Sequence, residues 1–399
     1  MGKSSVAMAG VAAVAGAAAY FYYLSQKSAD EGGEGEGAAT GVSALVRPNI
    51  RSLQPYRCAR DDYSEGILLD ANENSIGATV PPVPGDSREL NRYPCPYQIP
   101  LKELISAYRG VRPENIFLGV GSDEAIDMIM RIFCAPGKDS ILITPPTYGM
   151  YSVCAKVNDV EVQKVPLSPE FDVVVEDVLA AVRKTTKLIF LCSPGNPTAK
   201  SIPLATVERV ATAAPNAIVI VDEAYVDFSE TKSACCLVDK YPNMIVMQTL
   251  SKAFGLAGIR LGMAIGNPEI IHYFNTMKAP YNISKLTSEF AQNAFKHKEV
   301  MEKNIKLLLE ERTRVDAALR AFPFVKRVCH SDTNFLLFEL GNAKTIYSTM
   351  ADSGVVVRYR GGDTHCKDCL RVTIGSPKEN DRFLELLEAT AKAQPAAGS

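Results

Sequence analysis

What most constrains this chain is a rhythm of short apolar runs, each ending in small or acidic residues, separated by amphipathic stretches. The runs Ile116–Val120, Ser140–Thr144, Lys187–Cys192, Ala217–Val221, Met244–Thr249 and Leu261–Ile265 are the right length for strands. Their interiors are apolar, with polar residues such as Ser140, Thr144, Lys187 and Thr249 at the ends, as in strands covered on both faces. Glu124–Phe133 and Leu204–Ala213 carry helical periodicity between them. This predicts an α/β fold, a large and mainly parallel sheet with helices on both faces. After Pro280 the texture changes to one long charged helix over Glu289–Ala321, then strands over Asn334–Glu339, Gly354–Arg358 and Cys369–Ile374 and a terminal helix. That reads as a smaller C-terminal α+β unit. A chain of 399 residues exceeds what one small core requires. The expected division is a leader and linker (1–40), an N-terminal arm (41–66), a large domain (67–283) and a small domain (284–395).

Ahead of this α/β part, Val6 to Leu24 form a run free of charge, Ala- and Gly-rich until Tyr20–Leu24. Nineteen residues approach the length of a bilayer span. Lys3 precedes the run, while Lys27 and then Asp30, Glu31, Glu34 and Glu36 follow, the acids in a Gly/Glu-rich linker. Membrane association through residues 6–24 is therefore expected, as signal peptide, anchor or organellar leader, with the remainder of the chain soluble. If the leader does not function, a cytoplasmic chain is expected. With 43 Lys plus Arg against 45 Asp plus Glu, no basic surplus points to nucleic acid, and any anion site must be local. Ten scattered cysteines are expected as small buried hydrophobes in a reducing compartment. Cys366-x-x-Cys369, after His365, has the spacing of a metal clasp or dithiol, but a second ligand pair is lacking; a surface loop and no metal are expected.

Four features follow strand ends, where open α/β sheets place ligands. Gly119-Val120-Gly121-Ser122-Asp123 joins a strand to a helix whose first N–H groups make an anion seat. Ser193-Pro194-Gly195-Asn196-Pro197-Thr198 is either a plain turn or part of a site. Asp222 closes the run Ile218–Val221 with Tyr225 three residues on, so its carboxylate either caps a helix or faces the sheet edge. The fourth feature decides. Thr249-Leu250-Ser251-Lys252 continues to Arg260, setting a lysine among small and apolar residues beside two hydroxyls and a guanidinium that suit one phosphate. Enclosure would lower the lysine's pKa, as covalent carbonyl chemistry requires.

Asn196, Asp222, Tyr225 and the Ser251-Lys252…Arg260 segment, in that order, resemble the fold-type-I pyridoxal-phosphate enzymes. More narrowly, Val46 to Ala391 resembles the histidinol-phosphate aminotransferase family. The strings carrying this are Asn49–Tyr56, Leu69–Asn74, Asn91–Pro94, Pro145–Tyr151 and Leu370–Gly375. The resemblance implies pyridoxal 5'-phosphate held covalently by Lys252, which also moves the substrate proton. It implies Asp222 on the pyridine nitrogen, Tyr225 and Asn196 on the phenolic oxygen, and Tyr148 stacked on the ring. The cofactor phosphate would be held by Gly121, Ser122, Asp123, Thr249, Ser251 and Arg260, and by Tyr93 reaching across from the other subunit of a homodimer with shared sites. Arg371 would take the glutamate carboxylate and share the substrate phosphate with Arg358, with Tyr56 and Asn334 nearby; for Arg358 a salt bridge is the alternative. Gly195 and Ala199 depart from the Asn and Gly usual in the family. The rivals are another enzyme on this scaffold, an aromatic aminotransferase or a decarboxylase of a phosphorylated amino acid, and a membrane-tethered scaffold without activity.

Overall fold

A computed structural model describes residues 41–61, 67, 69–79 and 88–393. The 6–24 segment and its linker lie outside the described residues. Among the described residues, no helix is long and apolar enough to cross a membrane.

Seven strands form the large sheet: β1 (Ile116–Val120), β2 (Ser140–Ile143), β3 (Glu161–Lys164), β4 (Thr186–Cys192), β5 (Ile218–Asp222), β6 (Met244–Thr249) and β7 (Leu261–Gly266), in the order β1-β7-β6-β5-β4-β2-β3. β7 pairs antiparallel with both neighbours and every other pairing is parallel. Six strands therefore run one way, and their C-terminal ends share one edge. The expected mainly parallel sheet is present.

The apolar strands are explained by cover on both faces. Ile189 and Leu191 point into one core with Leu101 and Ile105 of α1 (Ile99–Arg109). Leu188 and Phe190 point into the other, with Ile126 and Ile129 of α2 (Gly121–Phe133) and Tyr151 of α3 (Met150–Val157). Alternate residues of one strand thus feed opposite cores. Burying a side chain such as Phe190, which is fully enclosed, contributes roughly 1.5–3 kcal/mol. β3 escaped the sequence reading because Glu161-Val162-Gln163-Lys164 is a polar edge strand.

The smaller sheet has the order β10-β11-β9-β8, all antiparallel: β8 (Val325–Val328), β9 (Phe335–Leu340), β10 (Arg358–Tyr359) and β11 (Cys369–Thr373). Two expectations are corrected here. The single helix over Glu289–Ala321 is two, α4 (Lys285–Lys296) and α5 (Lys298–Ala321), broken at His297 with φ −120° and ψ 39°. The halves serve different cores: Ala291 and Phe295 pack with the large sheet, Val315 and Leu319 with the small one. The strand expected from Gly354 begins only at Arg358, because Gly354 (φ 87°) and Val355 close the preceding helix by donating to Ala351 and Met350 carbonyls. Ala199, Tyr225, Ala253, Met301 and Phe335 form an apolar seam between strand-end loops of the large sheet, α5 and β9.

Candidate active site

The strand-end residues meet at the C-terminal edge of the large sheet. Gly121 opens α2 with φ 71°, and a Cβ there would run into the Arg260 guanidinium. On β7, a Cβ at Gly262 would collide with the Gly121–Ser122 backbone, so glycine lets the start of α2 lie against that strand. Gly121 N–H donates to the Arg260 carbonyl at 3.1 Å, leaving the following N–H groups of Ser122 and Asp123 at the free helix start. Around them Thr249 Oγ1 donates to Ser251 Oγ (2.9 Å), Arg260 Nη1 reaches Ser251 Oγ (3.4 Å) and Arg260 Nη2 reaches Asp123 Oδ2 (3.4 Å). Hydroxyls, a guanidinium and helix-start N–H groups converge as an anion cradle.

Asp222 lies at the end of β5, almost wholly buried. Its Oδ2 accepts from the Tyr151 hydroxyl at 2.5 Å and its Oδ1 from Ala224 N–H at 3.3 Å. Burial pushes its pKa up to about 6, against the opposing pull of Tyr151. The carboxylate faces the site and caps no helix. Tyr151, which the sequence reading did not single out, is the side chain bonded to Asp222; its signal was a second tyrosine three positions after Tyr148.

Lys252 differs from expectation. It is exposed in an open cleft rather than enclosed, because the chain leaves β6 at the sheet edge. Its pKa is nevertheless lowered, first by partial desolvation and then by Arg371 and Arg260, with Asp123 and Asp222 opposing. Its amine stands 5.6 Å from the centre of the buried Tyr225 ring. Burial pushes the Tyr225 phenol up to about 12, so it remains an O–H donor at neutral pH. Tyr148, half-buried, donates to Asp123 Oδ1 at 3.2 Å.

The small sheet contributes cations. Arg371 on β11 donates to Asn196 Oδ1 and lies 5.1 Å over the Phe335 ring. Arg358 is directly opposite Arg371 in the β10–β11 ladder. The salt bridge weighed for Arg358 belongs to its neighbour: Arg360 pairs with Asp363 at 2.7 Å. Asn334, half-buried, accepts from Ile374 N–H at the adjoining strand end (2.9 Å). Tyr93 stacks on Tyr281 at 4.6 Å, and Tyr56 meets the same ring edge-on at 6.3 Å; both are exposed. These two gather around Tyr281 rather than around Lys252. The departure at Ala199 has a backbone consequence, since this buried alanine holds φ 61°, a region where glycine is unstrained.

All ten cysteines are free. Cys366 lies in a loop and Cys369 opens β11, but the surface-loop reading is corrected: both side chains are fully buried in a cluster with Leu337, Phe171 and Cys329, because the segment folds back on β9. His365 points outward. Cys235 is buried and Cys236 exposed.

An anion cradle, a lysine amine of lowered pKa and a buried carboxylate, gathered where parallel strands end, define a fold-type-I aminotransferase. In agreement, the model of the family "Aminotransferase class I and II" matches residues 64–387. Within that class the chain belongs to the histidinol-phosphate aminotransferase family. It is 46% identical to that enzyme from Candida maltosa over 380 residues, covering 87% of this chain and 97% of the relative. The crystal structure of the Clostridium acetobutylicum enzyme superimposes with a TM-score of 0.71 at 25% identity, covering 76% of this chain and 92% of that one. The fold is also that of the Sinorhizobium meliloti enzyme in complex with pyridoxal-5'-phosphate (TM-score 0.71, 23% identity, 81% and 90% covered).

Proposed function

We propose that this chain uses pyridoxal 5'-phosphate to move an amino group from L-glutamate to imidazole-acetol phosphate, yielding 2-oxoglutarate and L-histidinol phosphate. The observation that carries the reading is the gathering of an anion cradle, a buried carboxylate and a lysine of lowered pKa at the strand ends of one sheet. The cradle of Gly121, Ser122, Asp123, Thr249, Ser251 and Arg260 suits a phosphate, and the buried Asp222 carboxylate suits a protonated ring nitrogen. The donor set therefore fits the cofactor. When bound, that group supplies an electron sink that makes the substrate Cα proton acidic. Lys252 Nζ, with its lowered pKa, would hold the cofactor and move the proton to and from the substrate Cα. Tyr225 and Asn196 would orient the phenolic oxygen, and Tyr148 would cover the ring.

Arg371 and Arg358, paired across β10 and β11, form a second anion site for the glutamate carboxylate and the substrate phosphate, with Tyr56 and Asn334 nearby. Repulsion from Arg358 and Arg360, after burial, already lowers the Arg371 pKa, so the group favours an anionic guest. Tyr93 would serve the cofactor phosphate of a second subunit in a homodimer; its ring stacks on Tyr281 yet stays half exposed, which supports this. The two separate sheets support a large and a small domain, with the changeover falling between α4, whose Ala291 and Phe295 pack with the large sheet, and the C-terminal half of α5, rather than at residue 284. The test is a substrate panel with purified protein, following cofactor absorbance, 2-oxoglutarate and carbon dioxide. Amino transfer from glutamate selective for the phosphorylated imidazole ketone is expected. Carbon dioxide release from a phosphorylated amino acid without a keto-acid acceptor would replace the reading with a decarboxylase.

A further inference from the structure

Tyr151 is fully buried in the first turn of α3, where a phenol must find a hydrogen-bond partner. Its ring is clamped by stacking on Phe190 of β4 (4.5 Å, interplanar 22°) and by the edge contact with Tyr148 (5.7 Å, 87°). The clamp aims the hydroxyl at Asp222 Oδ2, 2.5 Å away. The hydroxyl has one proton. The neighbouring Cys192 thiol has its own acceptor in the Pro194 carbonyl at 3.7 Å, so Asp222 is the better acceptor of that proton.

We propose that Tyr151 is a positioning residue for the amino-transfer site, spending its only proton on Asp222 so that this carboxylate stays anionic and aimed at the cofactor's ring nitrogen. The inference rests on the cofactor reading above. The groups facing Asp222 from each surrounding element are few. They are Tyr151 from α3, Cys192 from β4, Asp123 from α2, Lys252 after β6, and Tyr148 and Tyr225 from the adjoining loops. Asp123 opposes the anion and Lys252 favours it, but Tyr151 is the strongest side chain on the favouring side. A merely structural tyrosine would contribute through its ring, and Tyr151→Phe keeps the ring.

The experiment measures pyridoxal 5'-phosphate affinity by equilibrium dialysis from pH 5 to 9, after stripping and reloading the full chain. Wild type, Tyr151→Phe and Phe274→Leu are compared, with the thermal midpoint of each recorded; Phe274 is fully buried in the same core but packs on Phe117 rather than on Tyr151. Tyr151→Phe is expected to bind about tenfold more weakly at pH 7, the effect of one charge-assisted hydrogen bond. The acidic limb of its pH profile should move up by about one unit. Phe274→Leu is expected to lower the thermal midpoint and leave the limb in place. Affinity within twofold of wild type and an unmoved limb in Tyr151→Phe would overturn the proposal, as would an equal displacement in Phe274→Leu. Failure of the wild type itself to bind the cofactor would instead reject the underlying reading, and the proposal with it.

Discussion

Replacing Asp222 with asparagine removes one buried charge at nearly constant shape, and stability and turnover are expected to move in opposite directions. In the folded chain burial holds the carboxyl at about 6, against 3.8 for the free group. Between roughly pH 4 and pH 6 the folded state therefore keeps a proton that the unfolded state has released. Stability falls as pH rises through that window and stays lowered above it. A shift of about two units corresponds to about 3 kcal/mol. Asparagine can keep both contacts, accepting from Ala224 N–H and donating to the Tyr151 oxygen, and the pull of those two bonds on the anion is already contained in the net shift. The cofactor-free variant should thus gain about 3 kcal/mol at pH 8 and little at pH 4. At roughly 2 °C per kcal/mol for a large chain, this is a rise of about 6 °C in the thermal midpoint. With cofactor saturating, turnover should fall by several kcal/mol of transition-state stabilisation, since the ring nitrogen has lost its anion. Calorimetry at pH 4 and pH 8, paired with steady-state rates, checks both halves. A variant less stable than wild type at pH 8 would refute the burial argument, and unchanged turnover would refute the role of Asp222.

Lys252→Ala is expected to abolish turnover while dialysis still detects cofactor, retained by the phosphate cradle; a wild-type rate would dismiss the lysine. For the shared site, Lys252→Ala and Tyr93→Ala proteins, each inactive, should regain part of the activity when mixed under conditions that exchange subunits. A fully active monomer in sedimentation would end that idea. Removing residues 1–40 should leave catalytic constants within about threefold, under 1 kcal/mol, while moving the protein into the soluble cytosolic fraction. Full-length protein already soluble, uncleaved and cytosolic would count decisively against a targeting or anchoring leader.

The strand ends of the large sheet were readable because three local signals coincide there. Ile218–Val221 is apolar and leads to a carboxylate, Met244–Met247 leads to the hydroxyls and lysine of Thr249–Lys252, and Ile116–Leu118 leads to the small and acidic residues of Gly119–Asp123. Where a strand lacks such a run, as in the polar β3 or the two-residue β10, sequence gave no handle. The break at His297 was hidden for a related reason. Residues 285–321 are helical in pattern throughout, and only the presence of two different cores to satisfy bends the chain there.

Residue type and order alone thus determined the α/β class, the edge on which the site lies, and Lys252, Asp222 and Arg260 as its candidates, because burial pattern and chemical type are local. Arg371 and Arg358 entered through the family resemblance. Only the tertiary structure decided which side chains share a proton or a charge. Tyr151 meets Asp222 across 71 positions and Arg371 meets Asn196 across 175. Packing also put Arg358 opposite Arg371, turned Cys366 and Cys369 inward and left Lys252 open to the cleft. Such pairings depend on strand register and on the direction a side chain takes from a packed helix, and no spacing along the chain encodes either.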